Sequence, residues 1–432
     1  MFVARLRLVN FRSYDDVTVE FDPGLNVIVG PNASGKTNLL EGAFFALRAG
    51  SPRTTKEEKA VRWGATYTRA EATVAGRRLA DSHSLTVAYA PGQGKQVRVD
   101  GVEVSSLDDL RRQGSVFIFV PESLLLVKGS PARRRAHLDT FAAALEPAYD
   151  AGLRDLNVVL KQRNADLWRV REGAPADSLD AWDRQLARVA LAFAERRRTL
   201  VERLAARYRE FAGALAPDGG EFSLSLVSQL DGLEAEAGLT LPGSLEEAFI
   251  AALRARRPGE IGRAISGFGP HRDDLRFAEE SSAAPLDGGP RDLRLFGSQG
   301  EQRAAVLALL LAERAVAAEV TGDLGTLLLD DVMSELDDAR RRLLVGTLTG
   351  GGQALITTTN RLYFTDVELA RARVLDIGAG LAAAATPAGA LVETSGEASG
   401  EAPEGAPNSP ARGSSDELPG DEAPVVGEAP DG

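Results

Sequence analysis

The residues best suited to chemistry lie near the start of the chain. Gly30-Pro31-Asn32-Ala33-Ser34-Gly35-Lys36-Thr37 matches the pattern G-x-x-x-x-G-K-[ST], between an apolar run, Leu25 to Val29, and a helical one. Glycines let such a backbone curl until successive N–H groups point at one anion. The helix that follows adds the positive end of its dipole. Lys36 is expected to reach the β- and γ-phosphates of a nucleoside triphosphate, and the Thr37 hydroxyl to ligate Mg²⁺. A second set is Leu327-Leu328-Leu329-Asp330-Asp331, an apolar strand ending in two carboxylates. Beside a phosphate loop it reads as a Walker B element: Asp330 holds Mg²⁺, directly or through water, and Asp331 positions or deprotonates the attacking water. A third set is Phe296-Gly297-Ser298-Gln299-Gly300-Glu301-Gln302-Arg303, just before a helical run. The Ser298 hydroxyl, the Gly300 N–H and the helix start make a second anion site, which a simple kinase or GTPase does not need.

These residues need a scaffold of strands and helices. Phe2, Ala4, Leu6 and Leu8 alternate with Val3, Arg5, Arg7 and Val9, a strand period. Val17 to Phe21 and Leu25 to Val29 follow as strands, separated by the turn residues Asp22-Pro23-Gly24. A helix is expected from Lys36 to Arg48, and hairpins from Thr66 to Val104 with a turn at Ala90-Pro91-Gly92-Gln93-Gly94. Val116 to Val120 is a short strand stopped by Pro121. Pro131 to about Leu215 reads as helical, with Leu186, Val189, Ala190, Phe193 and Arg197 on one stripe. No heptad pattern persists long enough for a coiled-coil arm. Strands return at Phe222 to Val227, Leu327 to Leu329 and Ala354 to Thr357, with a loop at Gly267 to Asp274 and a helix after Gly300. The expected organisation is an α/β P-loop head in two parts, residues 1–120 and 261–384. A mainly helical lobe, 121–260, is inserted between them, and a disordered acidic tail, 385–432, follows.

Composition narrows the function. The 432 residues include no cysteine and three histidines far apart, so disulfides, a thiol nucleophile and a His-rich metal site are not expected. No apolar run approaches the ~18 residues of a membrane span. The opening MFVARLRLVNFRSYDD carries charges where a signal peptide has its apolar core. A cytoplasmic protein without membrane partners is expected. The net charge is −12, but ten acidic residues against the single Arg412 lie between Leu391 and Gly432. The rest of the chain is close to neutral, so a nucleic-acid partner stays open.

Together the motifs resemble the ABC-ATPase heads of DNA maintenance, and most closely the RecF family. Ser298 to Gln302 resembles the ABC signature and Ser334-Glu335-Leu336-Asp337 the D-loop. Four further segments resemble RecF: Asn10-Phe11-Arg12-Ser13-Tyr14; Phe119-Val120-Pro121-Glu122 with Val127-Lys128-Gly129-Ser130-Pro131 and Arg133-Arg134-Arg135; Lys161-Gln162-Arg163-Asn164; and Gly269-Pro270-His271-Arg272-Asp273-Asp274. The resemblance spans about Met1 to Leu381. It implies ATP as the nucleotide, an ATP-dependent homodimer, and DNA binding to single-stranded, gapped or junction DNA. It also implies RecR and RecO-type partners, gap repair, replication recovery and a role in the SOS response. Hydrolysis is then slow and DNA-stimulated, and Ser298 acts in trans on the partner's nucleotide. The resemblance gives Arg12 a nucleotide role beside its plain reading as a surface arginine. His271 is open between a nucleotide or partner contact and a locally bonded loop histidine. Arg133 to Arg135 fan through about 200° on a helix, so they cannot share one face.

Three departures from the ABC pattern stand out. Pro121-Glu122 lies where a Q-loop glutamine is usual, Ile356-Thr357-Thr358-Thr359-Asn360 where a switch histidine is usual, and Asp331 where Glu is commoner. Each suits a slow switch better than a fast motor. An ATPase subunit of an ABC transporter is the alternative. The departures and the inserted lobe count against it, and a small-molecule kinase leaves the signature and D-loop without purpose.

Overall fold

The strand Leu25–Val29 is buried at every residue, as a mainly apolar run covered on both faces should be; its one polar side chain, Asn26, is satisfied by the Asp22 and Gly24 backbone. In the computed structural model it lies inside a six-stranded sheet ordered Val116–Phe119, Thr326–Leu329, Gln353–Thr358, Leu25–Val29, Arg373–Gly378 and Leu381–Ala384. The first five run parallel and the last is antiparallel. The structure describes residues 1–76, 82–104, 106–111, 113–215, 221–237, 242–280, 289–378 and 381–384. The expected acidic tail, 385–432, lies outside the described residues. The register sets Leu329 beside Ile356 and Thr358 beside Val29. The carboxyl ends of the phosphate-loop strand and the carboxylate strand therefore open on one crevice, with Gln353–Thr358 between them. That is where open α/β sheets bind ligands.

The expected hairpins form a second, antiparallel sheet, ordered Tyr14–Glu20, Phe2–Phe11, Thr68–Ala75, Ser82–Ala90, Gly94–Val99 and Val102–Glu103. Its inward residues, among them Leu6, Leu8, Leu85 and Val87, share one core with Ile28, Leu328 and Leu355 of the parallel sheet. The helix Lys36–Arg48 contributes Leu39, Leu40 and Phe45 to that core. Gly42 lets it approach closely, because a Cβ there would meet Leu8 Cδ1 at 2.5 Å.

The other face of the parallel sheet packs on the helix Gln299–Thr321 and on the lobe. The helical stretch is three helices, Pro131–Leu145, Pro147–Arg171 and Leu179–Leu215, each of the first two starting at a proline. Proline suits a first turn, where its missing N–H has no intrahelical acceptor. The third helix has 37 residues and buries side chains from Leu179 to Leu215, so it packs along the head and forms no projecting arm. The expected loop at Gly267 to Asp274 is a short turn, Pro270–Arg272, that runs into the strand Asp274–Glu280. This strand pairs with Glu221–Val227 and Arg291–Asp292, so the lobe's sheet draws on both sides of residue 260.

Candidate functional site: a phosphate loop facing two carboxylates

The loop leaves Val29 and curls through positive φ at Ala33 (62°) and Gly35 (106°) before the helix begins at Lys36. Alternation of this kind aims backbone N–H groups inward. A Cβ on Gly30 would lie 2.5 Å from Ile377 O and 2.8 Å from Ser34 Oγ, and one on Gly35 would lie 2.8 Å from Tyr14 Oη. Both positions require glycine. Lys36 is buried, and its ammonium donates to the carbonyls of Gly30 and Pro31, each at 2.8 Å. Burial lowers its pKa, opposed by Asp331 and Asp330.

Across the crevice, Thr37 Oγ1 lies 2.9 Å from both oxygens of Asp330. Asp330 Oδ1 also accepts from Thr357 Oγ1 at 2.8 Å. Burial raises the Asp330 pKa, with Thr357 and Thr37 working against the shift. Asp331 adopts a left-handed conformation, φ 48°, its N–H held by Thr357 Oγ1 at 2.9 Å. Among the described residues its buried Oδ1 finds no partner, and neither does Ser34 Oγ in the loop. Asn32, Ala33, Gly35, Lys36, Thr37, Asp330 and Asp331 line a cleft of about 330 Å³ with Asn38 and Arg53. A paired hydroxyl and carboxylate, two orphaned oxygens and a loop with no room for a Cβ fit a metal-bound polyphosphate.

The structure brings the loop, Lys36, Thr37, Asp330 and Asp331 together. Arg12 is placed elsewhere. Its guanidinium makes a bidentate pair with Glu41 of the following helix, at 3.0 and 2.6 Å, and it does not line the cleft. Its neighbours act alike: Tyr14 Oη donates to Gly35 O at 3.1 Å, and Ser13 Oγ accepts from Asn38 Nδ2 at 2.9 Å. Burial pushes the Tyr14 hydroxyl up to about 12. The Asn10-to-Tyr14 segment thus buttresses the loop from behind.

Ser298 and Gly300 are also outside this cleft. Ser298 caps the helix Gln299–Thr321 in a capping box, its Oγ accepting from Glu301 N and Glu301 Oε2 accepting from Ser298 N. Arg291 holds Glu301 at 2.6 Å.

Sequence reasoning missed two cleft residues, Arg53 and Asn38, and Thr357, which holds Asp330 and Asp331. Arg53 lies 3.3 Å from Glu41 and 3.9 Å from Glu122, on a segment with no motif. Asn38 sits one residue past the motif. Thr357 was visible only as the place of an absent histidine. His271 resolves as locally bonded: Nε2 donates to Ser266 O at 3.0 Å, the buried Nδ1 has no partner among the described residues, and burial pushes its pKa down to about 4. The arginine run separates as expected. Arg134 is buried on Asp274 at 2.6 and 2.8 Å, Arg135 donates to Asp273 O, and Arg133 is exposed.

Fold and site together define a P-loop head of the ABC-ATPase type. Residues 2–374 match the family described as RecF/RecN/SMC N terminal domain. The DNA replication and repair protein RecF of Heliobacterium modesticaldum is 37% identical over 387 residues, covering 88% of this chain and 98% of that protein. RecF of Acidothermus cellulolyticus is 36% identical over 366 residues, 83% and 94% of the two chains. A structure of the recombination mediator protein RecF with ATP, in the RecFOR pathway, superposes with a TM-score of 0.72 at 26% identity, covering 89% of this chain and 98% of that one. The Smc head domain of Pyrococcus furiosus shares the fold at TM-score 0.51 and 16% identity, covering 88% of this chain and 95% of that one. The chain belongs to the RecF family of DNA replication and repair proteins. That membership sets aside the transporter subunit. Among the described residues, no helix is long and apolar enough to cross a membrane.

Proposed function

We propose that this chain is an ATP-gated, DNA-binding recombination mediator of the cytoplasm. It dimerises on ATP, works with RecR and RecO-type partners in gap repair, replication recovery and the SOS response, and hydrolyses ATP slowly as a DNA-stimulated switch. The observation that carries the reading is the cleft that Asp330 and Asp331 share with a phosphate loop whose lysine rests on backbone carbonyls, in a chain of the RecF family. Gly30 to Thr37 cradle the phosphates, with Lys36 exchanging its two carbonyl contacts for phosphate oxygens. Thr37 and Asp330 hold Mg²⁺, which supplies charge neutralisation on the β- and γ-phosphates when bound. Asp331 orients water and accepts its proton. Arg12 supports the nucleotide indirectly, through Glu41 and the loop helix. Ser298 and Gly300, remote from the cleft in their own chain, serve the partner's nucleotide. Residues 1–120 and 261–384 make the head, and residues 121–260 make most of the lobe.

The test is the mass of the protein in solution with and without ATP and Mg²⁺, repeated with gapped duplex DNA. A dimer is expected with ATP, reinforced by the DNA. Lys36→Met should stay folded and monomeric, with ATP affinity about 10²-fold lower. ATP binding without any change in mass would overturn the dimer, and unchanged affinity in folded Lys36→Met would overturn the site.

A further inference from the structure

The strand Val116–Phe119 ends the parallel sheet, bonded on one side only, to Thr326–Leu329. Ser115 O accepts from Thr326 N and Phe119 O from Asp330 N, both at 2.9 Å. In a parallel ladder alternate residues serve alternate sides, so the N–H and C=O groups of Val116 and Ile118 point away from the sheet. Among the described residues nothing pairs with them. Open edges of this kind are normally covered or blunted. This one faces a groove of about 520 Å³. Phe44 walls it on one side, and Phe141 and Leu310 on the other.

The charges of the groove select an occupant. Arg48 donates to the Leu47 and Gly114 carbonyls, His137 and Glu313 are matched to each other at 2.7 Å, and Glu122 at the rim is engaged with Arg53. Arg133, exposed at the mouth, has no partner for its guanidinium among the described residues. An apolar slot along an unpaired backbone edge, with one spare cation, suits a peptide better than a compact small molecule, because the edge needs donors and acceptors at strand spacing. At about 3.3 Å per residue, the edge spans roughly four residues of an added strand.

We propose that this groove docks an extended segment of a partner protein by strand addition along Val116–Phe119. The segment is apolar at alternate positions and flanked by a carboxylate that meets Arg133. The site is separate from the phosphate cleft, and its test needs no nucleotide.

The probe is the peptide Asp-Val-Thr-Leu-Thr-Asp amide with fluorescein on its N-terminal amine, read by anisotropy with the full chain. Two further peptides of the same sequence carry N-methyl groups on alternate residues, one for each register. Strand addition predicts that the peptide methylated on its ladder-facing amides binds roughly tenfold weaker or worse, while the other binds like the parent. Hydrogen exchange at the Val116 and Ile118 amides should slow when the parent peptide is added. Arg133→Glu should weaken the parent peptide roughly tenfold at low salt and much less at high salt. Equal affinity of all three peptides would overturn strand addition, as would unchanged exchange at both amides. No binding of the parent peptide up to about millimolar concentration would overturn the docking site altogether.

Discussion

The phosphate cleft and the helical lobe both bury charge, but on opposite terms. In the lobe, Arg163 is fully buried and each arm of its guanidinium is matched: Asp183 at 2.8 Å, Ser266 at 2.7 Å and Glu260 at 2.7 Å. Asp183 also takes Arg257, and Ser266 bonds Asn164. Arg197 is likewise enclosed by Tyr149, Asp139, Asp273 and the Pro270 carbonyl. In the cleft, by contrast, Asp331 Oδ1 and Ser34 Oγ have no partner among the described residues, and the Lys36 ammonium rests on neutral carbonyls. Buried charges that are matched on all sides hold a geometry, because breaking one leaves others stranded in a low-dielectric interior. Groups left unmatched are those that a ligand can complete. The RecF-like segments around Arg134, Arg163 and Asp273 belong to the first kind, and the phosphate loop to the second.

The largest effect that separates the two regions is expected from Asp331→Asn. Loss of the carboxylate proposed to orient the water should slow single-turnover ATP hydrolysis by about 10²- to 10⁴-fold, with ATP affinity retained. Its unfolding midpoint should hold or rise slightly, since a buried unpartnered oxygen contributes no stability. A midpoint that falls sharply would place Asp331 with the structural charges. Next comes Arg163→Ala, which leaves buried Glu260 without its cation and Asp183 with Arg257 alone. It should cost about 3–5 kcal/mol in denaturant unfolding, and an unchanged midpoint would break the comparison from the other side.

The smallest effect sharpens the comparison at His271, the loose end of the lobe's frame. Its folded pKa is pushed down to about 4 from an ordinary value of 6.5, so the unfolded chain takes up this proton first as pH falls. Stability should therefore be lost as pH drops from about 6.5 towards 4, by up to about 3 kcal/mol. His271→Gln removes that titration, and its unfolding free energy should fall less steeply over the same window. Identical slopes would show that the histidine takes no part.

The elements nearest the chemistry were legible because their signals are local. Leu25–Val29 and Lys36–Arg48 have the expected bounds, since a mainly apolar run after the turn Asp22-Pro23-Gly24 and a phosphate-loop motif each mark their own ends. Arg197 was visible on an apolar stripe, but why an arginine belongs there was not. Its partners Asp273 and Asp139 come from other elements 76 and 58 residues away. Arg12 shows the reverse: the segment around it was recognised, yet its guanidinium faces Glu41 instead of the cleft.

What the sequence by itself determined is the chemistry of contiguous residues: a glycine-rich loop before a lysine and a threonine, and two carboxylates ending an apolar strand. Backbone curvature, helix starts and strand ends follow from neighbours in the chain. The tertiary structure alone decided which distant groups share a space. Sheet order set Gln353–Thr358 between the two motifs, so that Thr357 bonds Asp330 and carries the Asp331 backbone. It also brought Arg53 to the cleft, closed the lobe around Arg163 and left the outer edge of Val116–Phe119 unpaired among the described residues. Pairing across the sheet depends on the packing of whole faces, and no stretch of sequence records its partner.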